Sequence, residues 1–120
     1  RFPDVTVEKI PAPGLVELVE QGKTQAEETE ALLRNILKPY VGQLDAIVLG
    51  CTHYPFVKDT VQKILGEGVV VLDGGAGTAR QTKRLLEERG LLHTGEGSLK
   101  MENSSGKGEL LERGMALLNL

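Results

Sequence analysis

The residues most able to do chemistry in this chain lie together in the segment Leu49-Gly-Cys-Thr-His-Tyr-Pro55. It holds the only cysteine among the 120 residues and one of only two histidines. The thiol of Cys51, the hydroxyl of Thr52 and the imidazole of His53 could bind an acidic ligand and either move a proton or attack it. A free cysteine is more often a packing residue than a catalyst, so the choice between these roles for Cys51 depends on the elements around it.

The elements on either side predict that this segment lies at the edge of a sheet. Residues 46–49 form a short continuous apolar run, which is typical of a strand buried on both faces. Ligand sites in parallel α/β sheets form beyond the carboxyl ends of the strands, where Gly50 would leave the approach to Cys51 open. Pro55 suits the first turn of a helix, whose N-terminal amides would then stabilise a bound anion or the Cys51 thiolate.

Elsewhere the pattern alternates between strands and helices, which indicates an α/β fold with a mainly parallel sheet flanked by helices. Strands are predicted at residues 5–10, 46–49, 69–72 and 98–103. Helices are predicted at residues 14–22, 24–39, 55–66, 79–89 and 109–118, with a glycine-rich turn at 73–78. The second of these helices would begin with a capping box, Thr24-Gln-Ala-Glu27.

Composition limits the classes of partner. The formal net charge is −3 and the charges are mixed along the chain, so no basic footprint for nucleic acid or an anionic membrane is present. No apolar run approaches the ~20 residues of a membrane-spanning helix. One cysteine excludes an internal disulfide and a cysteine-built metal site. We therefore expect a cytoplasmic protein with no metal, no nucleic-acid partner and no membrane partner.

The segment from Leu49 to Pro55 resembles the second cysteine motif of the glutamate racemases, in the aspartate/glutamate racemase superfamily. Two further segments are similar to that family in order and spacing. They are Pro13-Gly-Leu-Val-Glu-Leu-Val-Glu20 and Val71-Leu-Asp-Gly-Gly-Ala-Gly-Thr-Ala79.

The resemblance implies racemisation of L-glutamate and D-glutamate without a cofactor, for synthesis of bacterial peptidoglycan. The family uses two cysteines, one on each face of the substrate's α-carbon, as acid and base. Cys51 matches the second of these cysteines. Thr52 and His53 match positions that bind the substrate and assist that cysteine, so His53 is expected to be both catalytic and substrate-binding. Glu20 matches a supporting glutamate near the histidine.

The resemblance covers roughly the C-terminal half of such an enzyme, and the family's first cysteine has no match in this chain. It implies that residues 1–75 belong to the second of two α/β lobes and carry the site. Residues 76–120 would form a helix–strand–helix segment that returns to the first lobe. We expect a fragment that is inactive alone, and a homodimer is one means of covering the face it leaves exposed.

Two other functions remain open from the residues themselves. A Cys/His hydrolase is disfavoured because residues 51 and 53 are so close in sequence and no third orienting group is evident. A non-enzymatic interaction module derived from a racemase is the other. A nucleotide phosphate loop at residues 74–77 is disfavoured because Arg80 stands where the third glycine of that motif belongs.

Overall fold

Two short parallel strands pair in the computed structural model, which describes residues 4–118. Strand β1 is Ala46–Leu49 and strand β2 is Val70–Asp73. They pair without a stagger, from Ala46 opposite Val70 to Leu49 opposite Asp73. Because the strands are parallel and in register, their carboxyl ends lie side by side at one edge of the sheet.

The helices flank this sheet, which confirms the predicted α/β class. In chain order they are α1 (Leu15–Glu20), α2 (Glu27–Leu37), α3 (Lys58–Leu65), α4 (Gly75–Glu88) and α5 (Gly108–Leu117), with short 3-10 helices at Lys38–Tyr40 and Tyr54–Val57. Helix α3 makes the crossover that two parallel strands require. Within residues 4–118, every helix is too short or too polar to cross a membrane.

The core forms where α1, α2 and α3 pack against the inner face of the sheet. Its buried apolar side chains are Leu15, Val19, Leu33, Leu37, Leu49, Val57, Val61, Leu65, Val69 and Val71. Burying a side chain of this kind contributes about 1.5–3 kcal/mol each. Helix α2 contributes one apolar stripe, in which Leu33 and Leu37 are buried and Leu32 and Ile36 are partly buried.

The outer face of the sheet is largely exposed in the described part of the chain, so the prediction of strands buried on both faces was wrong. Val48 is 70% exposed, Val70 56% and Leu72 48%. Helices α4 and α5, which follow the sheet in sequence, have no buried residue. The radius of gyration of 17.6 Å exceeds the ~14 Å of a compact domain of this length. The apolar runs therefore predicted strands correctly, but the second covering layer is absent from residues 4–118.

Two predicted strands are also wrong. Residues 5–10 are extended but pair with no described strand, and Val5 and Val7 are 61% and 81% exposed. Residues 98–103 are irregular, and Met101 instead packs near Gly114 on α5. Alternation predicts which side chains share a face, but a strand forms only where a partner backbone can reach it.

Two helix starts also differ from their predictions. Helix α4 begins at Gly75, inside the predicted glycine-rich turn. Helix α2 begins after Ala26 with no side-chain cap, so the Thr24–Glu27 capping box was wrong. The preceding loop is fixed by Thr29 instead, whose fully buried Oγ1 donates to the Lys23 carbonyl at 2.6 Å.

Helices α2 and α3 are joined by a cluster of charged side chains. Glu30 on α2 accepts from Arg34 on the same helix and from Lys63 on α3, with Lys63 Nζ 3.1 Å from Oε2. These hydrogen bonds, first that of Arg34 and then that of Lys63, hold the pKa of Glu30 below its ordinary value of 4.5.

Replacing Thr29 by valine tests the buried loop contact. Thr29→Val keeps the shape of the side chain but leaves the Lys23 carbonyl without its donor, so the free energy of unfolding should fall by about 1–3 kcal/mol. Thr82→Val is the matched control, because Thr82 makes the same kind of bond to a helix carbonyl at an exposed position. It should change stability by less than about 0.5 kcal/mol. Equal losses in urea denaturation would contradict the assignment.

Loss of the Glu30 charge should lower the free energy of unfolding at acidic pH. Since its pKa is lower in the folded state, its contribution is complete above pH 4.5 and is lost as the pH falls through the lowered pKa. The stability difference between the wild type and Glu30→Gln should therefore shrink below that pH. Lys63→Met, which removes one cause of the shift, should weaken the same dependence. A difference that is constant from neutral pH to about pH 3 would refute this role.

Candidate active site

The Cys51 segment leaves the carboxyl end of β1 and folds back on itself. The Tyr54 amide donates to the Cys51 carbonyl and the Phe56 amide to the His53 carbonyl, each at 3.2 Å. Cys51 and His53 are half-buried, and Thr52 is exposed on the same turn. The predicted position of these three residues at the end of β1 is confirmed.

Gly50 and the following helix depart from prediction. Gly50 does not have a positive φ, and a Cβ there would meet no atom within 4 Å, so the turn does not require glycine. Pro55 lies in the first turn of a 3-10 helix as expected, but α3 begins only at Lys58. The helix is interrupted at Val57, whose side chain is fully buried and whose φ and ψ are −115° and 14°.

This interruption changes the electrostatics that were expected around Cys51. The amides of Tyr54 and Phe56 are occupied by carbonyls of the turn itself, and Pro55 has no amide hydrogen. Helix α3 starts beyond them and is therefore not the direct source of positive charge for a thiolate. One side chain is placed to stabilise the thiolate instead.

That side chain is His53. Its Nδ1 lies 3.7 Å from the Cys51 Sγ, within the range of a hydrogen bond that involves sulfur. The Tyr54 amide closes a turn on the Cys51 carbonyl, and this turn brings two side chains separated by one residue to the same side. The sequence argument that residues 51 and 53 would not orient toward each other was therefore wrong.

Glu20 is the third member of this group. Its Oε1 lies 3.1 Å from Nε2 of His53, across 33 residues of sequence. An ionised carboxylate only accepts hydrogen bonds, so this contact requires a hydrogen on Nε2; in the neutral imidazole, Nδ1 then presents its lone pair to the thiol. The structure thus brings Glu20, His53 and Cys51 into one relay, with Glu20 beside the histidine where the resemblance predicted a supporting glutamate.

The relay is chemically suited to activating a thiol. His53 can accept the thiol proton at Nδ1, and Glu20 stabilises the imidazolium that results. The product is a thiolate, which is both the basic and the nucleophilic form of cysteine. The arrangement can therefore serve proton transfer or covalent attack.

Sequence reasoning did not single out two charged residues beside this turn. Asp73 ends β2, and its Oδ2 accepts from Lys58 Nζ at 2.7 Å. Its Oδ1 accepts from the Gly75 amide at 2.9 Å. The bonds from Lys58 and then Gly75 lower the pKa of Asp73. The available signal was that Asp73 follows an apolar strand just as the Cys51 segment does.

Arg113 was also not identified from the sequence. Its Nη1 donates to the backbone carbonyl of Glu20 at 2.8 Å, so α5 reaches the end of α1 that carries the relay. The two residues are 93 positions apart, and no local pattern connects them.

The turn is an open surface feature. A cavity of about 590 Å³ lies between the extended residues 4–10 and β1, but its lining does not include Cys51, Thr52 or His53. Across residues 4–118, no three His, Cys, Asp or Glu side chains converge in a way that could hold a metal ion. The candidate site is therefore defined by the relay and not by a cavity.

The chain is similar in sequence to bacterial glutamate racemases. The glutamate racemase of Clostridium perfringens (strain SM101 / Type A) is 44% identical over 114 residues, which are 92% of this chain and 44% of that protein. The glutamate racemase of Clostridium kluyveri (strain ATCC 8527) is 48% identical over 87 residues, 72% of this chain and 34% of that protein. The chain thus spans less than half the length of these relatives.

Solved structures and a family model agree with these relatives. The crystal structure of glutamate racemase from Thermus thermophilus in complex with β-chloro-D-alanine matches with a TM-score of 0.71 and 34% identity, over 85% of this chain and 41% of that one. The Francisella tularensis glutamate racemase in complex with D-glutamate has the same TM-score at 23% identity, over 92% of this chain and 42% of that one, which supports the fold. The family model described as Asp/Glu/Hydantoin racemase matches residues 2–82. The chain belongs to the Asp/Glu/Hydantoin racemase family.

Proposed function

We propose that this chain supplies one face of a glutamate racemase active site, with Cys51 as the acid/base group. The observation that carries the proposal is the relay from Cys51 through His53 to Glu20, in a chain similar to glutamate racemases. The relay is what a cysteine needs in order to act as a base at neutral pH.

The proposed steps balance in protons. His53 takes the proton of Cys51 at Nδ1 while its Nε2–H remains bonded to Glu20. The thiolate then removes the α-proton of glutamate and becomes a thiol. In the opposite direction, the thiol returns a proton to the same face of the α-carbon. Inversion needs a second acid/base group on the other face, and the single cysteine of these 120 residues supplies only one.

Glutamate is proposed as the substrate because relatives across most of this chain are named glutamate racemases. Thr52 exposes its hydroxyl on the same turn as Cys51, where it can donate to a substrate carboxylate. His53 would assist by its position beside the thiol. The proposed role is cofactor-independent, in the cytoplasm, and supplies D-glutamate for peptidoglycan.

The proposed division of the chain keeps residues 1–75 as part of a lobe that carries the site. Residues 76–120 are proposed to pack on a first lobe, without the strand that was expected at 98–103. The support is that α4 and α5 are amphipathic in sequence but contain no buried residue in the described structure.

A thiol hydrolase is the second candidate function. The order of thiol, imidazole and carboxylate in the relay is also that of a cysteine nucleophile with its base and orienting group. The two functions differ in what happens at Cys51. A racemase moves only a proton, whereas a hydrolase passes through a thioester.

We also propose that two copies of the chain associate through the outer face of the sheet. An exposed apolar surface lies there, formed by Val48, Val70 and Leu72. Contact of such a surface with water is unfavourable. A second copy presents the same apolar surface, so a symmetric pair would cover both.

A transplant experiment tests the racemase proposal. The segment of the Clostridium perfringens glutamate racemase that matches this chain is replaced by the chain itself, and interconversion of D- and L-glutamate is followed by circular dichroism. The hybrid should racemise glutamate, whereas the 120 residues alone should not. Cys51→Ser and His53→Ala should each slow the hybrid by about 10²–10⁴-fold, because each removes a proton-transfer step.

His93→Ala is the matched control, because it removes the only other histidine, from an exposed loop. It should leave the rate unchanged. A folded hybrid whose activity survives Cys51→Ser would refute the proposal. A thioester trapped on Cys51 with an ester substrate, in a hybrid without racemase activity, would favour the hydrolase. Neither activity in a folded hybrid would favour an interaction module.

Sedimentation tests the association of two copies. The chain should sediment as a dimer, and Val48→Asp should shift it to monomer because a charge on the outer face cannot be buried without a partner. Leu99→Asp, at a position that is equally exposed but lies outside the sheet, is the control. A compact monomer at all concentrations would refute the dimer.

A further inference from the structure

We propose that Asp73 and Lys58 are positioning residues that fix the Cys51–His53 turn at both of its ends. This inference rests on the proposed function, because it matters only if His53 activates Cys51. It adds two residues, from β2 and from the start of α3, to the set on which that activation depends.

Asp73 meets both ends of the turn. At the first end, it pairs with Leu49 in the parallel ladder, two residues before Cys51. At the second end, its side chain binds Lys58, the first residue of α3, with 2.7 Å between Oδ2 and Nζ. Residues 50–57, which carry Cys51 and His53, therefore form a loop whose two ends are both attached to one residue of the neighbouring strand.

The Asp73 carboxylate is itself held in place. Its other oxygen accepts from the Gly75 amide at 2.9 Å, so the side chain has one orientation in which both oxygens are bonded. A Cβ on Gly75 would approach Oδ1 to 3.2 Å, tighter than most real contacts, so a residue without a side chain suits this close approach. The Asp73 side chain is only 19% exposed, which limits competition from water.

The relay needs this attachment because it joins two separate elements. Glu20 belongs to α1, whereas His53 belongs to the turn, and the 3.1 Å contact between them exists only while the turn keeps its place. Three side chains of the turn, those of Cys51, Thr52 and His53, are partly or fully exposed, whereas Val57 at its far end is fully buried in the core. Loss of the ion pair would therefore leave burial of Val57 as the remaining anchor at the Lys58 end, and His53 would be held less firmly beside the thiol.

The rate at which iodoacetamide alkylates Cys51 at neutral pH measures the thiolate directly, and mass spectrometry of the peptide locates the label. Lys58→Met and Asp73→Asn should each slow alkylation by about threefold to tenfold, because a less firmly held turn lets His53 spend less time beside the thiol. Lys58→Arg should restore much of the rate, because arginine can form the same ion pair.

The pair of variants separates positioning from the direct effect of charge. Removing the Lys58 cation destabilises a nearby thiolate, whereas removing the Asp73 anion stabilises it, so a purely electrostatic role would move the two rates in opposite directions. A positioning role lowers both. Lys63→Met is the matched control, because it breaks an ion pair at the other end of α3 without touching the turn.

Two results would overturn the proposal. One is that either variant leaves the rate unchanged or raises it, including rates that shift in opposite directions. The other is that Lys63→Met slows alkylation as much as Lys58→Met, which would indicate a general loss of stability. His53→Ala tests the proposed function separately. If His53→Ala does not slow alkylation of Cys51, the proposed activation of Cys51 by His53 is refuted. If His53→Ala slows alkylation but Lys58→Met does not, only the positioning role is refuted.

Discussion

The in-register pairing of two parallel strands is the constraint on which the rest of the structure depends. Because Leu49 lies opposite Asp73, both strands end at the same edge, and the residues that follow each strand must share that edge. Parallel strands require a crossover connection, usually a helix, and α3 fills this role while burying Val61 and Leu65 in the core. The turn between β1 and α3 is thus confined to the carboxyl edge, where it carries Cys51. A slip of one residue would move the inner apolar side chains to the outer face and separate Leu49 from Asp73.

The packing of α1 brings the Glu20 carboxylate to this edge. Leu15 and Val19 bury one side of the helix in the core, and Glu20 follows directly at its last position. The chain then leaves the helix through Gly22, whose φ of 74° suits a glycine cap, and the amides of Gly22 and Lys23 bond to carbonyls of the last helical turn. The carboxylate of Glu20 consequently points from a fixed helix end toward His53. Burial of the apolar side of α1 therefore also fixes the carboxylate that orients the His53 imidazole.

The sequence predicted the elements that depend on local pattern and missed those that depend on neighbours. Short continuous apolar runs at 46–49 and 69–72 identified both strands to within one residue, and Cys51, His53 and Glu20 were placed together by resemblance. Burial of Val48 on a second face, or pairing of residues 5–10, requires another layer or strand, which no local pattern can reveal. The contact of Cys51 with His53 depends on the turn that the Tyr54 amide closes on the Cys51 carbonyl, and their spacing alone does not predict it. Thr24 has the spacing of an N-cap residue, yet it is the buried hydroxyl of Thr29 that bonds to the loop before α2.

The relay is exposed to water in the part of the chain that the structure describes. An α-proton beside a carboxylate is a very weak acid, and its removal is helped where water is excluded and fixed dipoles replace it. In residues 4–118 the Glu20 side chain is 61% exposed and His53 30%, so water reaches the groups that would activate Cys51. A surface that covered this edge would strengthen the interaction between Glu20 and His53 by lowering the local dielectric, and the same surface could present the acid for the opposite face of the α-carbon. A single surface over the carboxyl edge of this sheet would therefore both exclude water and supply the second acid/base group.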